Sequence, residues 1–343
     1  MSRAGERTLR VLLAPLAQFL DDPGTTEIVV NRPGEVGVER KGQWVWYEPP
    51  ELTFDRLEAI ATLAAAMSQQ DVGPAHPLCA TVLPDGQRVQ VCRPPAVAAG
   101  TISLTIRRPS AAVSDLTSLA AGGLFAGTAA AGPARHPLDQ EMARLHQAGE
   151  WGVFLKLAVR ARKTIIVTGD TGSGKTTLAK ALVREIPLDE RLITIEDTAE
   201  FVGMPHRNVV ALFYSKGGQG IAQIRSEELI EAALRMRPDR VLMQELRDGA
   251  AFTFVRSIAA GHPGSITTCH ARSAEGAFDA LRLMIKQHDA GKHLDDADIQ
   301  VLLTQLVDVV VHCTRLPDGT RHISQVLVLP LSGTAHPPLA RTV

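Results

Sequence analysis

The chain has 343 residues, enough for about two domains of roughly 150 residues each. Lys plus Arg is 36 and Asp plus Glu is 37, and a formal charge of -1 argues against a general nucleic-acid binder, which carries a basic excess. Aromatics at 4% leave no rows of base-stacking rings, so no stable direct nucleic-acid binding is expected.

At the N-terminus, Arg3, Arg7 and Arg10 precede the apolar stretch Val11 to Leu20, as in a signal peptide. Leu9, Leu12, Leu13, Leu16, Phe19 and Leu20 nevertheless fall at helical spacing, and Gln18 interrupts the stretch, so a docked amphipathic helix is expected. Asp21-Asp22-Pro23-Gly24 reads as a turn. Strands follow at Glu27 to Asn31, Val36 to Arg40 and Trp44 to Tyr47. Phe54 to Gln69 reads as a helix with Leu57, Ile60, Leu63, Ala64 and Met67 on one side. Strands at Arg88 to Cys92 and Ile102 to Ile106 complete a small α+β domain over residues 1–110.

Ala, Gly, Ser and Pro dominate Ala120 to Pro133, which marks residues 111–148 as a linker, with a helix from about Gln140 leading into the second domain. Its most apolar part, Ser118 to Gly132, falls short of the about 18 residues a membrane-spanning helix needs. Residues 149–330 then alternate. The expected strands are Thr164 to Thr168, Leu192 to Ile195, Val209 to Phe213, Val241 to Met243 and Ser265 to Thr268. The helices between and after them are Thr176 to Glu185, Glu227 to Met236, Ala250 to Ala260, Ala274 to His288 and Asp295 to Val307. A strand pair near Asp308 to Cys313 and His322 to Leu329 closes the unit, and residues 331–343 read as a loose tail. Such alternation predicts an α/β fold with a predominantly parallel sheet covered by helices. Cys79, Cys92, Cys269 and Cys313 form no CxxC pair and read as free thiols in a reducing cytosol.

The strongest signal is Gly169-Asp170-Thr171-Gly172-Ser173-Gly174-Lys175-Thr176, a full match to GxxxxGK followed by Ser or Thr. Its glycines let successive N–H groups turn inward, and the helix that follows adds its positive end. Lys175 is placed to reach terminal phosphate oxygens, the Thr176 hydroxyl to ligate Mg²⁺, and Thr177 to bond the α-phosphate of ATP. In open parallel sheets ligands sit beyond the C-terminal strand ends. Leu192 to Ile195 runs there into Glu196-Asp197, and Val241 to Gln244 into Glu245. Glu245 follows the more hydrophobic strand and is the preferred water-positioning carboxylate, with Glu196 or Asp197 as the second acid near the metal. A further strand ends at Cys269-His270, which puts His270 within the same row, as a γ-phosphate sensor or a partner of Glu245.

Together with these, the segments Ile195 to Glu200, Leu234 to Arg240, Glu245-Leu246-Arg247-Asp248 and Gly261 to Ala271 resemble the secretion traffic ATPases. The branch resembled is that of type IV secretion and conjugation whose member is the eleventh VirB component. Val30 to Glu35 and Leu104 to Ser110 match in the first domain, so the resemblance runs from about Leu9 to Leu329. It implies a RecA-like P-loop NTPase domain behind the N-terminal domain, with ATP at their junction in a cytoplasmic homohexamer. It also implies work beside other ATPases and inner-membrane components, with peripheral membrane association. ATP hydrolysis would move the N-terminal domains and power pilus assembly or transfer of protein or DNA. The water-priming glutamate of the family falls on Glu245, the acid near the metal on Glu196, and phosphate-reaching arginines of the first domain on Arg107 and Arg108. Two positions depart from the family pattern: Gln244 stands where glycine is usual, and Cys269 where an aliphatic residue is. Gln244 leaves open a slow nucleotide-dependent binding module in place of a motor. A small-molecule kinase is disfavoured, since no acceptor site or basic lid is evident.

Overall fold

The computed structural model describes residues 3–109, 115–128, 138–215 and 220–329. The parts of the expected linker at 111–114 and 129–137 and the expected tail at 331–343 lie outside the described residues.

The N-terminal helix is divided. Helix α1 (Arg3–Leu12) is followed by α2 (Ala14–Leu20), whose first turn holds Pro15, where a missing N–H costs nothing. Leu9, Leu16 and Phe19 are buried as the helical spacing requires. Strands β1 (Thr25–Val30), β2 (Val36–Arg40) and β3 (Gln43–Tyr47) precede helix α3 (Phe54–Met67), which Thr53 caps by accepting from the Arg56 N–H. Strands β4 (Leu78–Val82), β5 (Arg88–Cys92) and β6 (Ser103–Arg107) follow. The six form one sheet in the order β3-β2-β1-β6-β5-β4, antiparallel throughout. The sequence reading lacked β4, which forms a hairpin with β5 around Pro84-Asp85-Gly86.

Helix α4 (Leu116–Ala121) is capped by Asp115 and buries no residue. Helix α5 (Asp139–Gln147), within the expected linker, buries Met142 and Leu145 in the same core as Phe154 and Ile165. The second unit continues with α6 (Trp151–Arg160), β7 (Ile165–Gly169), α7 (Lys175–Val183), β8 (Leu192–Glu196) and β9 (Val209–Phe213). Then come α8 (Ser226–Leu234), β10 (Arg240–Met243), α9 (Ala250–Ala259), β11 (Ile266–Cys269), α10 (Gly276–Lys286) and α11 (Asp296–Leu306). Strands β12 (Val309–Arg315) and β13 (Arg321–Val328) close it.

These strands make two sheets, β10-β8-β9 and β11-β7-β12-β13. All pairs are parallel except β12 with β13. No ladder joins β10 to β11, but Ser265 Oγ donates to Val241 O at 2.8 Å, Thr268 Oγ1 to Gln244 O at 2.9 Å and Leu246 N–H to Thr268 O at 2.7 Å. Those bonds join start to start and end to end, so β10 and β11 also run the same way. The C-terminal ends of β7, β8, β10 and β11 therefore share one edge of the layer.

The opposite edge holds the two halves of the chain together. Arg191, just before β8, is fully buried. It donates to Asn31 Oδ1 at 2.8 Å, Thr105 Oγ1 at 3.1 Å, Met236 O at 2.8 Å and Asn208 Oδ1. Burial lowers this guanidinium to about 10, and Glu27 is the largest influence opposing that. Beside it Arg237 bonds Glu39 and Asp239 and lies over the Trp44 ring, while Arg207 lies over Trp46. Cys92, Ala96 and Val97 share an apolar core with Leu212 and Met236.

Candidate active site

The loop between β7 and α7 takes its shape from its glycines. A side-chain carbon on Gly169, whose φ is +143°, would meet Cys313 O at 2.1 Å, because β12 runs directly alongside. Gly172 and Gly174 have φ of +78° and +99°, a region that side-chain-bearing residues rarely adopt. Gly174 stands at the N-cap of α7. Lys175 Nζ donates to Gly169 O at 2.7 Å and Asp170 O at 3.0 Å, and burial lowers its ammonium while the negative Glu245 pulls the other way. Ser173 Oγ is buried with no hydrogen-bond partner. Thr176 is half-buried, and Thr171 and Thr177 are exposed at the rim. Left-handed glycines at the start of a helix, an unpaired hydroxyl and a lysine on its own loop carbonyls make a cradle whose donors suit phosphate oxygens.

Glu245 and His270 lie against this loop. His270 Nε2 donates to Glu245 Oε1 at 2.8 Å, and Lys175 Nζ approaches His270 Nδ1 at 3.5 Å. A carboxylate only accepts and an ammonium only donates, so this pairing selects the neutral imidazole with its proton on Nε2. Lysine, imidazole and carboxylate form one line of contacts. Glu245 Oε2 accepts from Arg247 Nε at 2.8 Å and also from Nη2, and Arg247 Nη1 stands 3.7 Å from Asp197 Oδ2. The Glu245 side chain is 15% exposed, enough to meet a water and little enough to stay fixed.

The acidic segment after β8 is organised differently from the expectation. Glu196 is buried, and both its oxygens face its own chain: Thr194 Oγ1 donates to Oε1 at 2.5 Å, and the Glu200 and Phe201 N–H groups donate to Oε2 at 2.7 and 2.9 Å. Asp197, one residue on, is the acid that stands near Arg247. Gln244 Oε1 accepts from the Asp197 N–H at 3.2 Å, so its side chain bridges the ends of β8 and β10. Cys269 is fully buried among apolar side chains, and burial raises its thiol to about 12, so it is an inert core residue.

Arg107 and Arg108 lie elsewhere. Arg107 is 73% exposed and stands 3.7 Å from Glu27, and Arg108 Nη1 donates to Asp22 O at 2.6 Å. Both line a cavity of about 560 Å³ with Arg88, Glu27, Glu39 and Arg237. Arg237 precedes β10 and Glu245 follows it, so this cavity sits at the opposite strand ends from Lys175. A four-residue strand spans roughly 13 Å. Among the described residues no contact links either arginine to residues 169–177. Arg247, for which the sequence suggested no role, is the basic residue that holds Glu245.

The family described as "Type II/IV secretion system protein" matches residues 142–334. The chain is 45% identical to Protein VirB11 of Agrobacterium fabrum over 306 residues, covering 88% of each. It is 42% identical to the type IV secretion system protein VirB11 of Bartonella henselae over 325 residues, covering 92% of this chain and 91% of that one. The chain belongs to the VirB11 family of type IV secretion ATPases. It is thus an ATP-hydrolysing enzyme of a secretion system. The VirB11-family fold agrees over nearly its whole length with the crystal structure of the Brucella suis VirB11 ATPase in complex with sulphate. That match has a TM-score of 0.90 and 43% identity and covers 95% of each chain.

Proposed function

We propose that this VirB11-family ATPase is a ring-forming motor, a homohexamer that turns ATP hydrolysis into movement of its N-terminal units. In this reading residues 1–110 form one domain and residues 149–330 a RecA-like ATPase domain, with α5 belonging to the latter. The ring would work at the cytoplasmic face of the inner membrane, beside other ATPases and membrane components of the secretion machine. Its motion would serve pilus assembly or transfer of protein or DNA.

The observation that carries the catalytic part is the contact line from Lys175 through His270 to Glu245. Lys175 would exchange its loop carbonyls for phosphate oxygens. Glu245, held by His270 on one oxygen and Arg247 on the other, would orient the attacking water and draw off its proton. His270 would register the loss of the outer phosphate through the same two neighbours. Thr177 would bond the α-phosphate. Thr176 and Glu245 are too few oxygen ligands for a protein-only magnesium site, so Mg²⁺ would be held jointly with the nucleotide and would supply charge neutralisation at the β- and γ-oxygens. Glu196 braces the turn at 197–201 and so keeps Asp197 beside Arg247. Arg107 and Arg108, at the far strand ends of their own subunit, would serve phosphates bound by a neighbouring copy.

The test is steady-state phosphate release and nucleotide binding on the full chain. Glu245→Gln keeps ATP binding within about threefold and lowers turnover by at least about a hundredfold, the usual scale for a residue acting on the reacting water. Lys175→Ala loses both. Turnover by Glu245→Gln within about threefold of the parent would overturn the assignment. Mass photometry of the ATP-bound particle tests the sixfold ring.

A further inference from the structure

The hairpin joining β12 to β13 reaches the phosphate loop. Strand β12 pairs with β7 so that Cys313 stands opposite Gly169, and two residues more carry Arg315 past the start of the loop. The turn closes through Leu316 N–H to Thr320 O at 2.8 Å and Gly319 N–H to Leu316 O at 2.9 Å, with Asp318 Oδ1 accepting from the Thr320 N–H. The chain returns at Arg321, the direct cross-strand partner of Arg315.

Both arginines lie on the loop. A side-chain carbon at Gly172 would stand 3.8 Å from Arg315 Nη1, and one at Gly174 would stand 3.3 Å from Arg321 Cδ. Like charges directly opposed on an antiparallel pair repel. Several other arginines are paired with acids, as in Arg10 with Asp85, Arg40 with Asp22 and Arg240 with Glu190. Among the described residues no ion pair or hydrogen bond ties either Arg315 or Arg321 side chain, and both are exposed. Two opposed guanidinium groups beside a cradle of N–H donors leave a concentrated positive field that a polyphosphate would neutralise.

We propose that Arg315 and Arg321 act as a clamp from the same subunit on the β- and γ-phosphates held by residues 169–176. The proposal rests on the reading of those residues as the phosphate loop. The planar fork of Arg315 matches two phosphate oxygens at once. The Arg321 stem lies against Gly174, where the loop passes into α7. The positive charge on the nucleotide then comes from three places in one subunit: Lys175 and two points on a hairpin whose root is fixed in the β7–β12 ladder.

The experiment is calorimetric titration of ATP, ADP and AMP into the full chain, with Arg315→Gln, Arg321→Gln and, as reference, Lys175→Ala. Each glutamine variant binds ADP about tenfold more weakly, the scale of one charge-assisted contact, while AMP affinity changes less than about threefold. Without nucleotide the variants melt no lower than the parent, because a like-charge pair has been relieved, and the melting shift caused by ADP shrinks. Should both variants bind ADP within about twofold of the parent while Lys175→Ala does not bind, the loop reading stands and the clamp falls. An equal loss for AMP would move the arginines to the base or ribose and overturn the proposal. Normal ADP binding by Lys175→Ala would remove the loop reading and the clamp together.

Discussion

Replacing Glu27 by glutamine should make the protein more stable at pH 8 and leave it little changed at acid pH. Glu27 is 4% exposed, and its Oε2 is buried with no hydrogen-bond partner. Burial is the largest influence and raises its carboxyl from an ordinary 4.5 to about 7, against the pull of Arg107 at 3.7 Å and with Glu39 adding to the rise. A folded value above the unfolded one means the folded chain keeps a proton the unfolded chain has shed. Stability is therefore full below 4.5 and is lost as pH rises toward 7. At 1.36 kcal/mol per pH unit the loss amounts to roughly 3 kcal/mol. A glutamine is neutral at every pH and escapes it, so Glu27→Gln should gain roughly 3 kcal/mol at pH 8 and less than about 1 kcal/mol at pH 5. In a thermal melt of the whole 343-residue chain, at about 2.1 cal/mol/K per residue, this is a rise of roughly 4 °C at pH 8. Calorimetric melts at both pH values decide it. A gain of equal size at pH 5 and pH 8 would refute the reasoning, because packing rather than charge would then be its source.

Gln244→Gly removes the side-chain acceptor of the Asp197 N–H and should cost about 1 kcal/mol in urea unfolding while changing turnover less than about threefold, since Gln244 touches Asp197 and not Glu245. A tenfold change in phosphate release would contradict that role. Arg191→Met leaves Asn31 Oδ1, Thr105 Oγ1 and Met236 O without this donor, and Asn208 Oδ1 with only that of Asn31 Nδ2, and should destabilise the chain by about 3–5 kcal/mol, read by urea unfolding. A loss below about 1 kcal/mol would show that the buried network contributes little.

The parts of the fold legible in the sequence were those whose signal is local. Strands Val36–Arg40, Arg88–Cys92 and Val209–Phe213 have the expected bounds, because apolar or alternating runs end there at turn residues. The glycine loop between β7 and α7 was legible for the same reason, since glycine spacing and a following helix are written into consecutive residues. Strand β4 was not, because Leu78–Val82 is framed by prolines and gains its pairing only from β5. The Glu196 side chain was not, because two of its three donors are backbone N–H groups, to which residue type gives no clue. Arg315 was invisible because its place depends on the β7–β12 register, which joins segments far apart in the chain. Arg107 and Arg108 illustrate the converse. Motif order put them in the right strand region but could not say which edge of the second unit that strand meets.

That edge bears on how hydrolysis could move anything. The side-chain contacts of Arg32, Arg191 and Arg237 between the two units gather where β8, β9 and β10 begin, with one further bond from Phe213 N–H to Ala96 O at the end of β9, whereas the glycine loop, Glu245 and His270 gather where their strands end. A hinge between the two halves of one chain would have to expose a fully buried guanidinium and its acceptors, at a cost of several kcal/mol for each opening. A rotation of the whole clasped chain against its neighbour in a ring would leave that network intact. It would also bring the Arg107–Arg108 face of one subunit toward or away from another subunit's phosphate loop. In the proposed ring the buried clasp thus favours movement between subunits over movement within them, and the Arg191→Met variant separates the two. If the moving joint lies inside the chain, loosening the clasp speeds turnover by the assembled ring. If it lies between chains, the variant loses stability while the ring that still assembles keeps the parent's rate.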